Sequence, residues 1–179
     1  MSKIMRYGQF LNESESYEFG CAMIEVPFSD WSSIAEMIDP EDVYEAEGDS
    51  SYGMQDNPHV TVLYGLHSSV STEALKEAIS GFSEELSIKV DGIGTFENEG
   101  FDVVKMNVVA DGALLRLNEI ISELPNSNEY PEYKPHITIA YVKKGCGRKY
   151  EDPSFSREIG RISEMCYSMS DGTKEYFEI

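Results

Sequence analysis

Positive charge is scarce in this chain. Its 179 residues hold 14 lysines and arginines against 33 aspartates and glutamates, a formal net charge of −19. Such a surface repels long nucleic acid and anionic membranes, so neither is expected as a partner. A small anionic ligand would need a locally positive site. Cysteine is rare too. Cys21, Cys146 and Cys166 are odd in number and widely spaced, which builds no disulfide frame and fits a reducing compartment such as the cytoplasm. None stands at metal-ligand spacing, and neither a metal nor a cofactor is expected. No apolar run is long enough to span a membrane. Residues 1–18 lack the apolar stretch of a signal peptide and read as an N-terminal arm. Residues 19–179 have the length of one domain or of two tightly joined lobes.

Histidine is among the rarest residues: there are three. Two of them occupy the same seven-residue word. Pro58 to Tyr64 reads Pro-His-Val-Thr-Val-Leu-Tyr, and Pro135 to Tyr141 reads Pro-His-Ile-Thr-Ile-Ala-Tyr. Both words are rich in β-branched residues and alternate with period two, which predicts strands. Strict alternation puts His59, Thr61 and Leu63 on one face, with Val60, Val62 and Tyr64 on the other. In the second copy His136, Thr138 and Ala140 share a face opposite Ile137, Ile139 and Tyr141. Two such strands facing one groove offer a phosphodiester two imidazoles and two hydroxyls. An imidazole titrates near neutral pH, so one ring can take a proton from the attacking oxygen and the other can protonate the leaving oxygen. The hydroxyls can hold non-bridging phosphate oxygens as charge shifts. Which histidine does which is not fixed by the sequence.

A duplicated His-x-Thr on strands, one in each half of the chain, resembles the 2H phosphoesterase superfamily. The acidic balance, the length and the wording Pro-His-Val-Thr-Val-Leu-Tyr-Gly-Leu-His resemble one branch in particular, the phage anti-CBASS nucleases. The superfamily resemblance implies an α+β fold of two pseudo-symmetric lobes. Each would carry an antiparallel sheet with helices outside, and the active groove would lie between them. It implies His59, Thr61, His136 and Thr138 as catalytic residues. The branch implies metal-independent cleavage of cyclic oligonucleotide messengers, such as cyclic di- and trinucleotides and cGAMP, against CBASS immunity in the bacterial host's cytoplasm. It also implies an acidic residue in a late strand, for which Glu164 is the candidate. Two other readings stand beside it. One is a 2H enzyme that opens 2′,3′-cyclic phosphates or trims RNA ends; the other is a cyclic-nucleotide sponge without turnover.

The remaining elements follow from pattern. Phe19 to Val26 reads as a strand closed by Pro27. Ser29 or Asp30 opens a helix with Trp31, Ile34, Ala35 and Ile38 on one stripe. Residues 39–57 hold a short strand near Val43 and then a loop, solvated or closing over the site as a lid, with Tyr52 as a candidate substrate contact. Ser71 or Thr72 opens a second helix. Leu86–Glu97 and Phe101–Ala110 form a hairpin, and Gly112–Leu124 a strongly periodic helix ended by Pro125. Ile159–Met169 and Lys174–Ile179 close the chain as strands. Lys134, Lys143, Lys144, Arg148 and Lys149 put five of the fourteen basic residues around the second motif. In so acidic a chain Lys143, Lys144 and Arg148 are candidates to hold a substrate's further phosphates.

Overall fold

A computed structural model describes residues 18–110 and 112–179; the N-terminal arm, but for its last residue, lies outside the described residues. The chain forms two four-stranded antiparallel sheets. The first has the order β2-β1-β7-β8, built from β1 (Gly20–Glu25), β2 (His59–Leu66), β7 (Glu164–Ser168) and β8 (Lys174–Glu178). The second has the order β5-β4-β3-β6, from β3 (Leu86–Glu97), β4 (Phe101–Val108), β5 (His136–Lys143) and β6 (Asp152–Ile162). Among the described residues three α-helices accompany them: α1 (Trp31–Ala35), α2 (Thr72–Ala78) and α3 (Gly112–Ser122). This is the expected α+β architecture of two sheet lobes.

One continuous core lies between sheets and helices. Ile24, Val60, Val62, Met106, Ile137 and Val142 from the strands meet Leu75 of α2 and Leu114, Leu117 and Ile121 of α3. The helices sit where amphipathic spacing puts them, and Ser71 caps α2 by accepting a hydrogen bond from the Ala74 N–H at 3.1 Å. Asp30 precedes α1 without a side-chain cap bond; its carboxylate instead meets Arg157 at 3.3 Å. Trp31 packs against the core and donates from Nε1 to the Gln55 carbonyl at 2.8 Å.

Three expectations need correction. The late strand is not continuous from Ile159 to Met169. β6 starts at Asp152 in one sheet, and the chain crosses at Ser163 into β7 of the other. Arg161, just before the crossing, takes a left-handed φ of 52°, which costs an L-residue roughly 1–2 kcal/mol. The strand near Val43 is a single bridge to Val142 after a short 3-10 turn, Pro40–Asp42. Residues 43–55 are not a free loop: 43–44 and 53–55 are fastened along the outer edge of β5, and between them Glu45, Glu47, Gly48 and Ser50 are exposed. The Tyr44 N–H donates to the Tyr141 carbonyl at 2.9 Å, the Tyr141 N–H to the Gly53 carbonyl at 3.0 Å, and the Gln55 N–H to the Ile139 carbonyl at 3.0 Å.

The outer edge of β2 is covered in the same way from the other half. The Ser127 N–H donates to the Gly65 carbonyl at 2.9 Å, Asn118 Nδ2 to the Val62 carbonyl at 2.7 Å, and Tyr133 Oη to the Thr61 carbonyl at 3.0 Å. Gly65 sits at φ 97°, and a Cβ there would stand 3.0 Å from the Asn128 nitrogen, so both conformation and space demand glycine. His67, the third histidine, hydrogen-bonds through Nε2 to Ser127 Oγ at 2.8 Å and helps fasten this cover. Each motif strand is thus sealed by the segment that leads into the other motif.

Candidate active site

β2 and β5 are the edge strands of their sheets and touch each other. Each opens on its motif histidine. His59 pairs with Glu25 across β1 and Thr61 with Met23. His136 pairs with Asn107 across β4, and Thr138 with Lys105. A crevice lined by Thr61, Tyr64, Tyr133, Lys134 and His136 joins the two strands. His136 is 8% exposed, while His59, Thr61 and Thr138 are half-buried.

Both strands break their alternation at the same place in the word. In β2, Thr61 pairs with Met23 and Leu63 with Ala22, so Val62 is the extra residue of a bulge. In β5, Thr138 pairs with Lys105 and Ala140 with Val104, so Ile139 is extra. A bulge shifts the residues beyond it by one position relative to the pleat. Leu63 and Ala140 therefore turn into the core, contrary to strict alternation, and Tyr64 and Tyr141 come round to the histidine face. Tyr64 packs there with Cys21, Met23 and Cys166, and Tyr141 with Tyr52 and Val103.

The two rings are held alike. His59 Nδ1 lies 2.9 Å from the Asn57 carbonyl, and His136 Nδ1 lies 3.0 Å from the Lys134 carbonyl. A carbonyl only accepts, so each Nδ1 carries the hydrogen. In the neutral ring the lone pair is then on Nε2, the distal nitrogen. Protonated, the same atom is a donor. Burial pushes the His136 pKa down to about 4; its carbonyl bond opposes this, and the charges of Lys105 and His59 add to it. His59 is also pushed down, first by burial. Its bond to Asn57 opposes the shift, Lys174 adds to it and Glu25 opposes it. Both rings are neutral near pH 7 before a ligand arrives. Cys21 Sγ lies 4.0 Å from Thr61 Oγ1, but burial pushes its thiol up to about 12, so it is not a thiolate nucleophile.

Lys105 and Asn107 join the site from β4, a contribution sequence reading missed. Their positions were legible. In Phe101–Val108 they are the polar residues that alternate opposite buried Val104, Met106 and Val108. Lys105 Nζ touches Asn107 Oδ1 and lies 4.4 Å from the centre of the Phe96 ring. Phe96 in turn meets His136 edge to face at 5.0 Å. Burial lowers the Lys105 pKa. Among the described residues, no carboxylate lies within ion-pair distance of it.

The basic loop stands elsewhere. Lys143 ends β5, and at about 3.3 Å per residue it lies roughly 23 Å along the strand from His136. Its Nζ donates to the Glu41 carbonyl at 2.6 Å. Lys144 pairs with the buried Asp102 at 3.4 Å, Arg148 with Glu97 and Lys149 with Asp42. Lys144, Arg148 and Lys149 are matched by carboxylates remote in sequence and Lys143 by a backbone carbonyl, and none of the four stands beside the histidines. Tyr52 is 7% exposed in an aromatic cluster with Tyr44, Phe101 and Tyr141, and Phe96, packed against the same cluster, stands between it and His136. Glu164 is exposed. It lines a cavity of about 470 Å3 with Glu25, Phe28, Trp31, Arg161 and Tyr176. Asn57, whose carbonyl holds His59, lines it as well, so this cavity opens beside the first motif. Among the described residues, no group of three or more His, Cys, Asp or Glu side chains could hold a metal ion, and no helix is long and apolar enough to cross a membrane.

Two antiparallel sheets, each presenting a His-x-Thr edge strand, define a phosphoesterase of the 2H type. The chain belongs to the 2′-5′ RNA ligase superfamily, whose model matches residues 26–146. Among solved structures it is similar to E. coli LigT complexed with 3′-AMP, at 17% identity and a TM-score of 0.57, over 90% of this chain and 95% of that one. It is also similar to Kluyveromyces marxianus Usb1, at 10% identity and a TM-score of 0.56, over 91% and 99% of the two chains. In sequence, no curated protein matches it.

Proposed function

We propose that this protein cleaves phosphodiester bonds with His59 and His136 as a general acid–base pair and Thr61 and Thr138 as donors to the phosphate. The observation that carries this reading is the matched pair of Nδ1 bonds to backbone carbonyls, which gives both rings the same working nitrogen. A binding module needs charge and donors but no such matched rings. One imidazole accepts the proton of the attacking hydroxyl, the threonine hydroxyls meet the non-bridging oxygens, and the other imidazole protonates the leaving oxygen. The motifs supply one good metal ligand per strand, and turnover is expected to survive excess EDTA.

The substrate class we propose is the cyclic oligonucleotide, a di- or trinucleotide messenger, with evasion of CBASS immunity as the biological consequence. The net charge of −19 disfavours a long polyanion. The 470 Å3 cavity beside His59 gives a small ligand room beyond the catalytic phosphate. The test is product analysis on cyclic dinucleotides, cyclic trinucleotides and 2′,3′-cyclic mononucleotides, with wild type and the His59→Ala/His136→Ala double variant. Turnover of cyclic oligonucleotides by wild type alone supports the reading. Turnover confined to 2′,3′-cyclic mononucleotides would make the chain an RNA-end-processing enzyme, and binding without product would make it a sponge.

A further inference from the structure

The duplication is broken beside the histidines. Cross-strand from the His-x-Thr of β2 stand Glu25 and Met23; cross-strand from that of β5 stand Asn107 and Lys105. One half carries a carboxylate where the other carries an amide, and a thioether where the other carries an ammonium. Glu25 Oε1 is held by the Tyr176 hydroxyl at 2.8 Å, and Lys105 is held against Asn107 and the Phe96 face. We infer that His136 is the general base, His59 is the general acid, and Glu25 and Lys105 are the positioning charges that assign these roles.

The argument rests on the phosphodiesterase reading above and concerns what happens when a phosphodiester anion enters. An anion within about 4–6 Å favours the protonated imidazole. At His59, Lys174 on β8 outweighs Glu25 before a ligand arrives; the ligand's charge, added to that of Glu25, reverses this balance, and the ring takes up a proton. At His136, Lys105 cancels that charge, the Lys134 carbonyl and Thr138 are neutral, and His59, once protonated, adds a second repulsion. That ring stays unprotonated. The attacking oxygen gives its proton to Nε2 of His136 as its bond to phosphorus forms. The bond from phosphorus to the leaving oxygen breaks, and that oxygen takes the proton from Nε2 of His59. The enzyme is left with His136 charged and His59 neutral, and exchange with solvent restores both.

The proposal is tested by a leaving group that needs no proton. A 3′,5′-dinucleoside phosphate and a nucleoside 3′-(p-nitrophenyl phosphate) are compared as substrates for wild type, His59→Ala and His136→Ala. Removing the acid is expected to cost ~10²–10⁴-fold on the dinucleoside and less than about tenfold on the nitrophenyl ester, whose phenolate departs unprotonated. Removing the base is expected to cost a similar ~10²–10⁴-fold on both. Rescue of His136→Ala instead, or of neither variant, overturns the assignment while leaving the phosphodiesterase reading intact. A wild type inactive on both esters and on cyclic di- and trinucleotides overturns the reading itself. Lys105→Met, which installs the residue of the other half, supplies an independent readout. The acid limb of its kcat/KM profile should move up by about half a pH unit or more and return in Lys105→Arg. A merely structural lysine would lower the rate without moving that limb, and an unmoved limb overturns its role.

Discussion

Replacing Asp102 by alanine should loosen the basic loop and leave the chemistry untouched. Asp102 is 1% exposed. Its carboxylate accepts from the Gly145 N–H at 2.8 Å and the Gly147 N–H at 3.1 Å, and meets Lys144 at 3.4 Å. Lys144 is about half exposed and regains water, so its pairing contributes little. The backbone donors do not all regain water. Gly147 is packed so tightly that a Cβ would stand 2.4 Å from Thr95. A hydrogen bond to a charged acceptor is worth roughly 1.5–3 kcal/mol, and leaving the Gly147 donor unpaired brings the loss to about 3 kcal/mol. For a chain of this size that lowers Tm by about 6–12 °C, measurable by thermal denaturation followed by circular dichroism. The loop lies roughly 23 Å along β5 from His136 by strand rise, so kcat/KM well below Tm should stay within about threefold of wild type, ~0.6 kcal/mol. A Tm drop under about 2 °C would show that the carboxylate is not holding the loop. A loss of turnover above about tenfold would return the loop to the active site.

Three further outcomes follow from the same geometry. On substrates with an alkoxide leaving group, His59→Ala and His136→Ala should each remove nearly all turnover and the double variant little more, because residues acting as a unit are non-additive; a single variant above about a tenth of wild-type rate on such a substrate, a loss of only ~1.4 kcal/mol, contradicts the pair. Thr61→Val and Thr138→Val keep shape and delete a donor, so each should slow turnover by ~10–10³-fold with the fold retained; unchanged kinetics in both would make these threonines structural. The pH dependence of stability should carry the signature of His136. Its pKa falls from an ordinary 6.5 to about 4 on folding, so between these values the unfolded chain binds the proton and the folded chain does not. The ring leaves stability unchanged above about pH 6.5 and lowers it as pH falls toward 4, by on the order of 3 kcal/mol in all. Urea midpoints of wild type and His136→Gln should converge on acidification, and parallel curves would exclude the shift.

The two motif strands, the hairpin and the periodic helix could be read from the sequence because each is local: period two or period 3.6 over a single stretch. What escaped reading depended on partners far along the chain. The bulges at Val62 and Ile139 add one residue relative to a neighbouring strand, and a single strand's alternation carries no trace of its partner's count. β6 has a polar sequence, Asp-Pro-Ser-Phe-Ser-Arg-Glu-Ile-Gly-Arg-Ile, with residues exposed or half-buried throughout. Only its pairing with β3 declares it a strand. Lys144, Arg148 and Lys149 looked unmatched because their carboxylates, Asp102, Glu97 and Asp42, are 42 to 107 positions away. Lys105 was overlooked for the opposite reason. A lone cation in a largely apolar strand draws less notice than a cluster, although half-burial makes it the more informative one.

The exchanged covers on β2 and β5 bear on how such a duplicated chain can be divided. Cut between α2 and β3, the N-terminal piece would bare the outer edge of β2, since its seal comes from residues 118–133. The C-terminal piece would bare the outer edge of β5, whose seal comes from residues 43–55. A bare, β-branched edge recruits another strand. Neither fragment is therefore expected to persist as a soluble monomer, but the two expressed together carry what each other lacks. Co-expression of residues 1–83 and 84–179 should recover the assembled enzyme where separate expression yields aggregate. The polypeptide link between the halves then serves concentration more than architecture.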